Sequence, residues 1–264
     1  MMFLNARDGC RLCVETTGSG KAIVLIPGLG GAASFWSAMA PGFADGRRVI
    51  SYDHRGAGRS DRPDGAYEIE ILAEDLIDML DALGIERADL VGHSTGGAIA
   101  QVVARNHPAR VGKIVLSATW HRPDTRFQTL FRLRLEVLES LGPESYARLT
   151  QVIGFRPDWL VSHPELVEQA AARARADLEP ISVSSSRIQM LLAFQGVDDL
   201  AHISQETLVL GATDDMIVAY AQSVALANGI PSATLLPYDG GHFFPRVYPD
   251  QFVRDVRSFL DGAL

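Results

Sequence analysis

Cysteine is nearly absent: the 264-residue chain has two, Cys10 and Cys13. One pair is too few for a disulfide framework, so the fold must rest on its core. Long apolar runs are missing too. No stretch approaches the roughly 18 residues that suggest a membrane-spanning helix. The first ten residues include Asp8 and lack a basic segment followed by an apolar one. No signal peptide is therefore expected, and a cytoplasmic location is the default. Basic charge is in the minority, with 24 Lys and Arg against 32 Asp and Glu and a net charge of −8. A chain of that sign repels phosphate backbones, so neither nucleic acid nor a membrane is an expected partner. Repeats, low-complexity segments and blocks of like charge are absent as well, and no feature specifies an oligomeric state.

What is present suits one large domain, or a core with one sizeable insertion. Hydrophobic residues make up 47% and charged residues 21%, a balance that excludes long disordered stretches. Short, almost fully apolar runs recur at Ala22–Ile26, Val49–Tyr52, Ala88–Val91, Lys113–Ser117, Thr207–Leu210 and Ala233–Leu236. Without alternation, such runs fit strands covered on both faces, as in a parallel sheet. Helical spacing marks Glu70–Leu83, stopped by Gly84, then Thr95–Asn106 and Val247–Leu260. Alternation of strand and helix predicts an α/β fold. It breaks once, between His121 and His202. There the sequence predicts four helices, Thr125–Leu141, Glu144–Ile153, His163–Ala176 and Ile181–Phe194, punctuated by Gly142-Pro143, Gly154, Pro157 and Pro180. The expected organisation is a core of residues 1–120 and 203–264 with a helical cap, 121–202, inserted between two strands. Cys10 and Cys13 form a Cys-x-x-Cys spacing, but Cys10–Thr17 reads as a strand after an Asp8-Gly9 hairpin turn. Residues three apart on a strand point to opposite faces, and a zinc site needs more ligands. No metal or organic cofactor is expected.

Gly92-His93-Ser94-Thr95-Gly96 fits Gly-x-Ser-x-Gly between a buried strand and a helix of small residues. That context is a nucleophile elbow, in which a sharp turn projects the serine hydroxyl and tolerates only glycine at its flanks. A serine hydroxyl needs a base within hydrogen-bond reach, and the base needs an orienting carboxylate. Of seven histidines, His242 is the favoured base, because Asp239-Gly240-Gly241-His242 follows the last strand and opens at the same end of the sheet as Ser94. His54 is the second choice, and His93 reads as structural. The acid is expected after Thr207–Leu210, where both Asp214 and Asp215 stand, with Asp124 a remote third. Pro27-Gly28-Leu29-Gly30-Gly31 follows the first core strand. Backbone N–H groups of Leu29 and Thr95 are the expected oxyanion donors. A phosphate-binding loop fits poorly there, since neither Gly-x-Gly-x-x-Gly nor Gly-Lys-Ser/Thr occurs.

The inserted segment and its entrance supply Trp120, Phe127, Leu130, Phe131, Phe155, Trp159, Met190, Leu191 and Phe194. Trp120, Phe127, Phe131, Trp159 and Phe194 are candidates to line an apolar substrate pocket. Arg122, Arg126, Arg132, Arg134, Arg156 and Arg187 also lie there, and any one could pair with a substrate carboxylate.

Together these segments resemble the α/β-hydrolase superfamily over nearly the whole chain. Asp53-His54-Arg55-Gly56-Ala57-Gly58-Arg59-Ser60 resembles its Asp-x-Arg-Gly-x-Gly-x-Ser turn, Gly92–Gly97 its elbow, and Gly241-His242 its base. The register of Thr207–Leu210 with Asp215-Met216-Ile217-Val218 implies Asp215 as the acid. Two positions depart from the pattern: Ala219 replaces a usual proline, and Pro27 a frequent histidine. Within the superfamily, Leu29-Gly30-Gly31, Trp36, Trp120, Pro157-Asp158-Trp159 and Phe194-Gln195-Gly196 resemble aminoacrylate hydrolases of pyrimidine degradation, beside 3-oxoadipate enol-lactonases. The resemblance implies acyl transfer through a Ser94–His242–Asp215 triad on a small acyl substrate such as an ester or lactone. Carbon–carbon cleavage of a vinylogous diketone and perhydrolysis are alternatives on the same residues. A receptor that keeps a slow triad is an alternative of another class.

Overall fold

Each apolar run becomes a strand in the computed structural model, which describes residues 1–176, 180–196 and 200–264. In chain order the elements are β1 (Met2–Asn5), β2 (Arg11–Gly18), β3 (Lys21–Ile26), α1 (Ala40–Phe43), β4 (Arg47–Tyr52), α2 (Ile69–Ala82), β5 (Ala88–His93), α3 (Thr95–Asn106) and β6 (Val111–Ser117). Next come α4 (Thr125–Gly154), α5 (Pro157–Ser162), α6 (Glu165–Ala176), α7 (Ile181–Ala193), β7 (Thr207–Ala212), α8 (Tyr220–Gly229), β8 (Ala233–Tyr238), α9 (Phe244–Val247) and α10 (Pro249–Leu260). The fold is α/β. Its eight strands form one sheet in the order β1-β2-β4-β3-β5-β6-β7-β8. β1 and β2 pair antiparallel with their neighbours, and β4 to β8 run parallel.

The reason for the unbroken apolar runs lies in the two cores. Ile23 and Leu25 of β3 pack on one face with Trp36, Phe43 and Phe252. Val24 and Ile26 pack on the other with helices α2 and α3. Alternate side chains point to opposite faces, so a strand covered on both must be apolar throughout. Cys10 and Cys13 are free, buried thiols. Burial raises the Cys10 thiol to about 11.

The two helices predicted over 125–153 are present as two rods that meet at Gly142, whose φ of 81° is not helical. Pro143 then starts the second rod, where a missing N–H costs little. The last predicted helix, Val247–Leu260, starts two residues later as α10, after Tyr248 with φ −127° and ψ 58°. Its successor Pro249 disfavours the helical region for the residue before it. Helices α5 and α8 and strand β1 carry little signal. In α8 only Ser223 and Leu226 are buried, so it shows no apolar stripe. Between β6 and β7 the described residues contain helices and no strand.

Candidate active site

Ser94 terminates β5 and precedes α3 in a conformation that only close packing can hold, with φ 53° and ψ −118°. Such backbone costs about 1–3 kcal/mol in a residue with a side chain. Three glycines make it feasible. A Cβ on Gly92 would come within 2.3 Å of the Gly96 carbonyl oxygen, and one on Gly96 within 2.2 Å of the Ile26 oxygen. One on Gly97 would strike the Thr119 side chain at 2.6 Å. The Ser94 N–H donates to the Ser117 carbonyl at 2.8 Å, which ties the turn to β6. Thr95 is the first residue of α3, where N–H groups lack an intrahelical acceptor and the helix dipole favours negative charge.

The base loop returns to this turn from β8. His242 is buried, and its Nδ1 lies 2.8 Å from Asp215 Oδ2. The other Asp215 oxygen accepts the N–H groups of Ile217 (2.7 Å) and Val218 (2.9 Å), fixing the carboxylate within its own loop. Asp214 points elsewhere. It accepts the N–H groups of Gly240 (3.2 Å) and Gly241 (2.9 Å) and so binds the base loop by its backbone. Asp124 caps α4 through the Phe127 N–H at 2.8 Å. The ring of His93, the residue before Ser94, lies 5.0 Å from that of His242. His93 stacks on Phe35 at 4.6 Å, and its Nδ1 meets the Ser117 hydroxyl at 3.2 Å. Burial, with His242 a secondary influence, holds the His93 imidazole well below the usual histidine range. His54 is likewise buried against Tyr52, and burial, then the Arg187 charge, holds its imidazole well below the usual histidine range.

Leu29 lies in a turn closed by the Gly31 N–H to the Gly28 carbonyl at 2.9 Å. A Cβ on Gly28 would sit 3.3 Å from the Ser94 Cβ, so the loop passes directly against the serine. Trp120, Phe127, Phe131 and Phe194 come together in one aromatic cluster, with ring centroids 4.4–6.5 Å apart. Trp159 is not among them; its ring stacks on His163 at 4.0 Å. Sequence reasoning overlooked Phe35 and Phe243, which flank His93 and His242. No periodicity singles them out, since Phe35 lies in a single 3₁₀ turn, Ala33–Trp36, and Phe243 in the loop before α9. Among the described residues no group of three or more potential ligands could hold a metal ion.

A profile of the alpha/beta hydrolase fold matches residues 21–245. The RutD protein of Caulobacter segnis, whose name proposes a carbamate hydrolase, is 36% identical over 96% of this chain and 97% of its own. The enol-lactonase of Burkholderia xenovorans superposes with a TM-score of 0.90 at 25% identity, covering 98% of this chain and 100% of that one. A meta-cleavage product hydrolase of Pseudomonas fluorescens superposes with a TM-score of 0.86 at 26% identity, over 100% of this chain and 98% of that one.

Proposed function

The chain belongs to the alpha/beta hydrolase fold family, and from that premise we propose that it is a serine hydrolase of small acyl substrates. The observation that carries this reading is the buried His242–Asp215 pair beside the strained Ser94 turn. His242 takes the proton from Ser94 as its oxygen attacks a carbonyl carbon. Asp215, bonded to Nδ1, keeps the imidazole in the tautomer that leaves Nε2 free to accept, and then stabilises the imidazolium. The N–H groups of Leu29 and Thr95 receive the oxyanion. His242 returns the proton to the leaving group, and water, deprotonated by the same base, releases the acyl group.

Residues 121–202 act as a cap over this centre, with Trp120, Phe127, Phe131 and Phe194 as its apolar wall. The substrate is an ester or lactone in the first instance. The similarity to RutD adds carbamates to the candidates. The reading is tested by acid release in a pH-stat over short and long acyl esters, enol-lactones, simple lactones and a carbamate. Multiple turnover on one class is expected, reduced about 10⁴–10⁶-fold in Ser94→Ala. Near-normal turnover in that variant would sink the proposal.

A further inference from the structure

Each loop of the proposed centre is held by an arginine from the cap. Arg126 donates to the carbonyls of Met216 (2.5 Å) and Ile217 (3.3 Å) in the acid loop. Arg156 donates to Asp239 (2.8 Å) and the Tyr248 hydroxyl (3.1 Å) beside the base loop. Arg187 of α7 donates to the Leu29 carbonyl at 2.6 Å and the Arg55 carbonyl at 2.5 Å. It differs from the other two in being almost wholly buried, at 2% exposure. We propose that Arg187 is a positioning residue for the oxyanion hole, and that through it the docked cap completes the catalytic centre. This inference rests on the serine-hydrolase reading above.

The physical case begins with what the oxyanion loop lacks. Gly28, Gly30 and Gly31 have no side chains to anchor it. Its own turn bond, Gly31 N–H to Gly28 carbonyl, spans the ends and leaves the central Leu29–Gly30 peptide unheld. That peptide is the one whose orientation distinguishes type I from type II turns, and a glycine at the third position accepts either. Arg187 fixes it by a charge-assisted bond to the Leu29 oxygen. The same residue's N–H is the proposed donor to the oxyanion, separated from that carbonyl by two backbone dihedrals. A second bond to Arg55 refers the loop to the rigid turn after β4, which also receives it through His54 N–H to Gly31 carbonyl at 2.8 Å. Gly31 makes room for the guanidinium: a Cβ there would lie 2.5 Å from Arg187 Nη2. A planar fork that reaches two carbonyls is a task a lysine ammonium performs only in part.

The test is the rate at which a fluorophosphonate probe labels the full-length protein. Ser94 Oγ forms a bond to phosphorus, the phosphorus–fluorine bond breaks, fluoride leaves and the serine proton passes to His242. The phosphoryl oxygen develops its charge in the oxyanion hole, so the rate reports that hole without knowledge of the natural substrate. Arg187→Met is expected to label about 10²-fold more slowly, the cost of a donor misplaced by about 1 Å. Arg187→Lys is expected to fall between it and the wild type. The slowing should be the same factor across the pH–rate profile, because His242 and Asp215 are untouched. Arg148→Met, which removes only exposed cap ion pairs with Glu144 and Glu168, should label at the wild-type rate. Wild-type labelling by folded Arg187→Met, with Ser94→Ala unlabelled, would overturn this inference and leave the serine-hydrolase reading intact. If Arg187→Met does not fold, Arg187→Lys within twofold of wild type would overturn it. A change in the shape of the pH profile would assign Arg187 to the triad instead and also overturn it. Labelling of Ser94→Ala like wild type would sink the underlying reading.

Discussion

The two ends of the same parallel strands are built on opposite terms. At the amino end, the Asp89 carboxylate is fully buried yet meets Lys21 at 2.8 Å, Arg47 at 3.0 Å and the Lys113 N–H at 2.8 Å. Arg47 also reaches Asp261, and Lys113 pairs with Glu206. At the carboxyl end, buried polar atoms stand without a partner among the described residues: His93 Nε2, both ring nitrogens of His54, the hydroxyls of Thr95 and Thr119, and the indole N–H of Trp120. The two residues other than glycine with positive φ among the described residues, Ser94 and Ala118, are there too. Saturated polar networks hold a fold in one state. Unpaired donors and strained backbone cost stability and persist where the surroundings enforce them, as at sites of chemistry.

Substitutions at the two ends should therefore separate activity from stability. The largest effect is expected from Asp215→Asn, which leaves His242 with an amide that favours the wrong tautomer. Turnover should fall about 10⁴-fold while the melting temperature moves little. Asp214→Asn, which touches only the Gly240 and Gly241 N–H groups, should cost much less; steady-state kinetics of the two variants would reverse the assignment if the order were inverted. At the other end, Asp89→Asn removes a buried anion from two cations. It should cost about 3–5 kcal/mol, read by urea unfolding, and leave the turnover of folded molecules within about twofold. A large loss of turnover there would erase the contrast between the ends. The smallest effect on stability is expected from Ser94→Gly. It abolishes activity but relieves the positive φ, and the lost side chain makes no capping bond. Strain relief of about 1–3 kcal/mol, less about 0.4–1 kcal/mol for the freer unfolded chain, should raise stability by roughly 1 kcal/mol. Calorimetry would then record a rise of about 2–4 °C. An unchanged or lower melting temperature would mean that the elbow stores no strain.

Much of this was legible in the residues. The apolar runs at Ala22–Ile26 and Thr207–Leu210 predicted covered strands, because runs this short and unalternated suit a strand buried on both faces better than a helix. Gly92 and Gly96 predicted the sharp turn, because the space they leave is set by backbone atoms a few residues away or on the adjacent strand. Helix α8 escaped because its surroundings bury too little of it to impose a stripe.

The amino-acid sequence by itself determined the α/β alternation, the helical insertion between two strands, and the stereochemistry of the turn at Ser94. These follow from local rules: periodicity, the steric freedom of glycine, and the fixed φ of proline. Spacing left Asp214 and Asp215 both open and the family resemblance implied Asp215; the tertiary structure brings Asp215 to His242, across 27 residues of chain. Only it decided that Arg187, among the nine arginines of residues 121–202, reaches the Leu29 carbonyl 158 residues away. Adjacent aspartates are alike in composition and spacing, and arginines on helices look alike in any pattern. What separates them is the direction each side chain takes once packing has fixed the backbone that carries it.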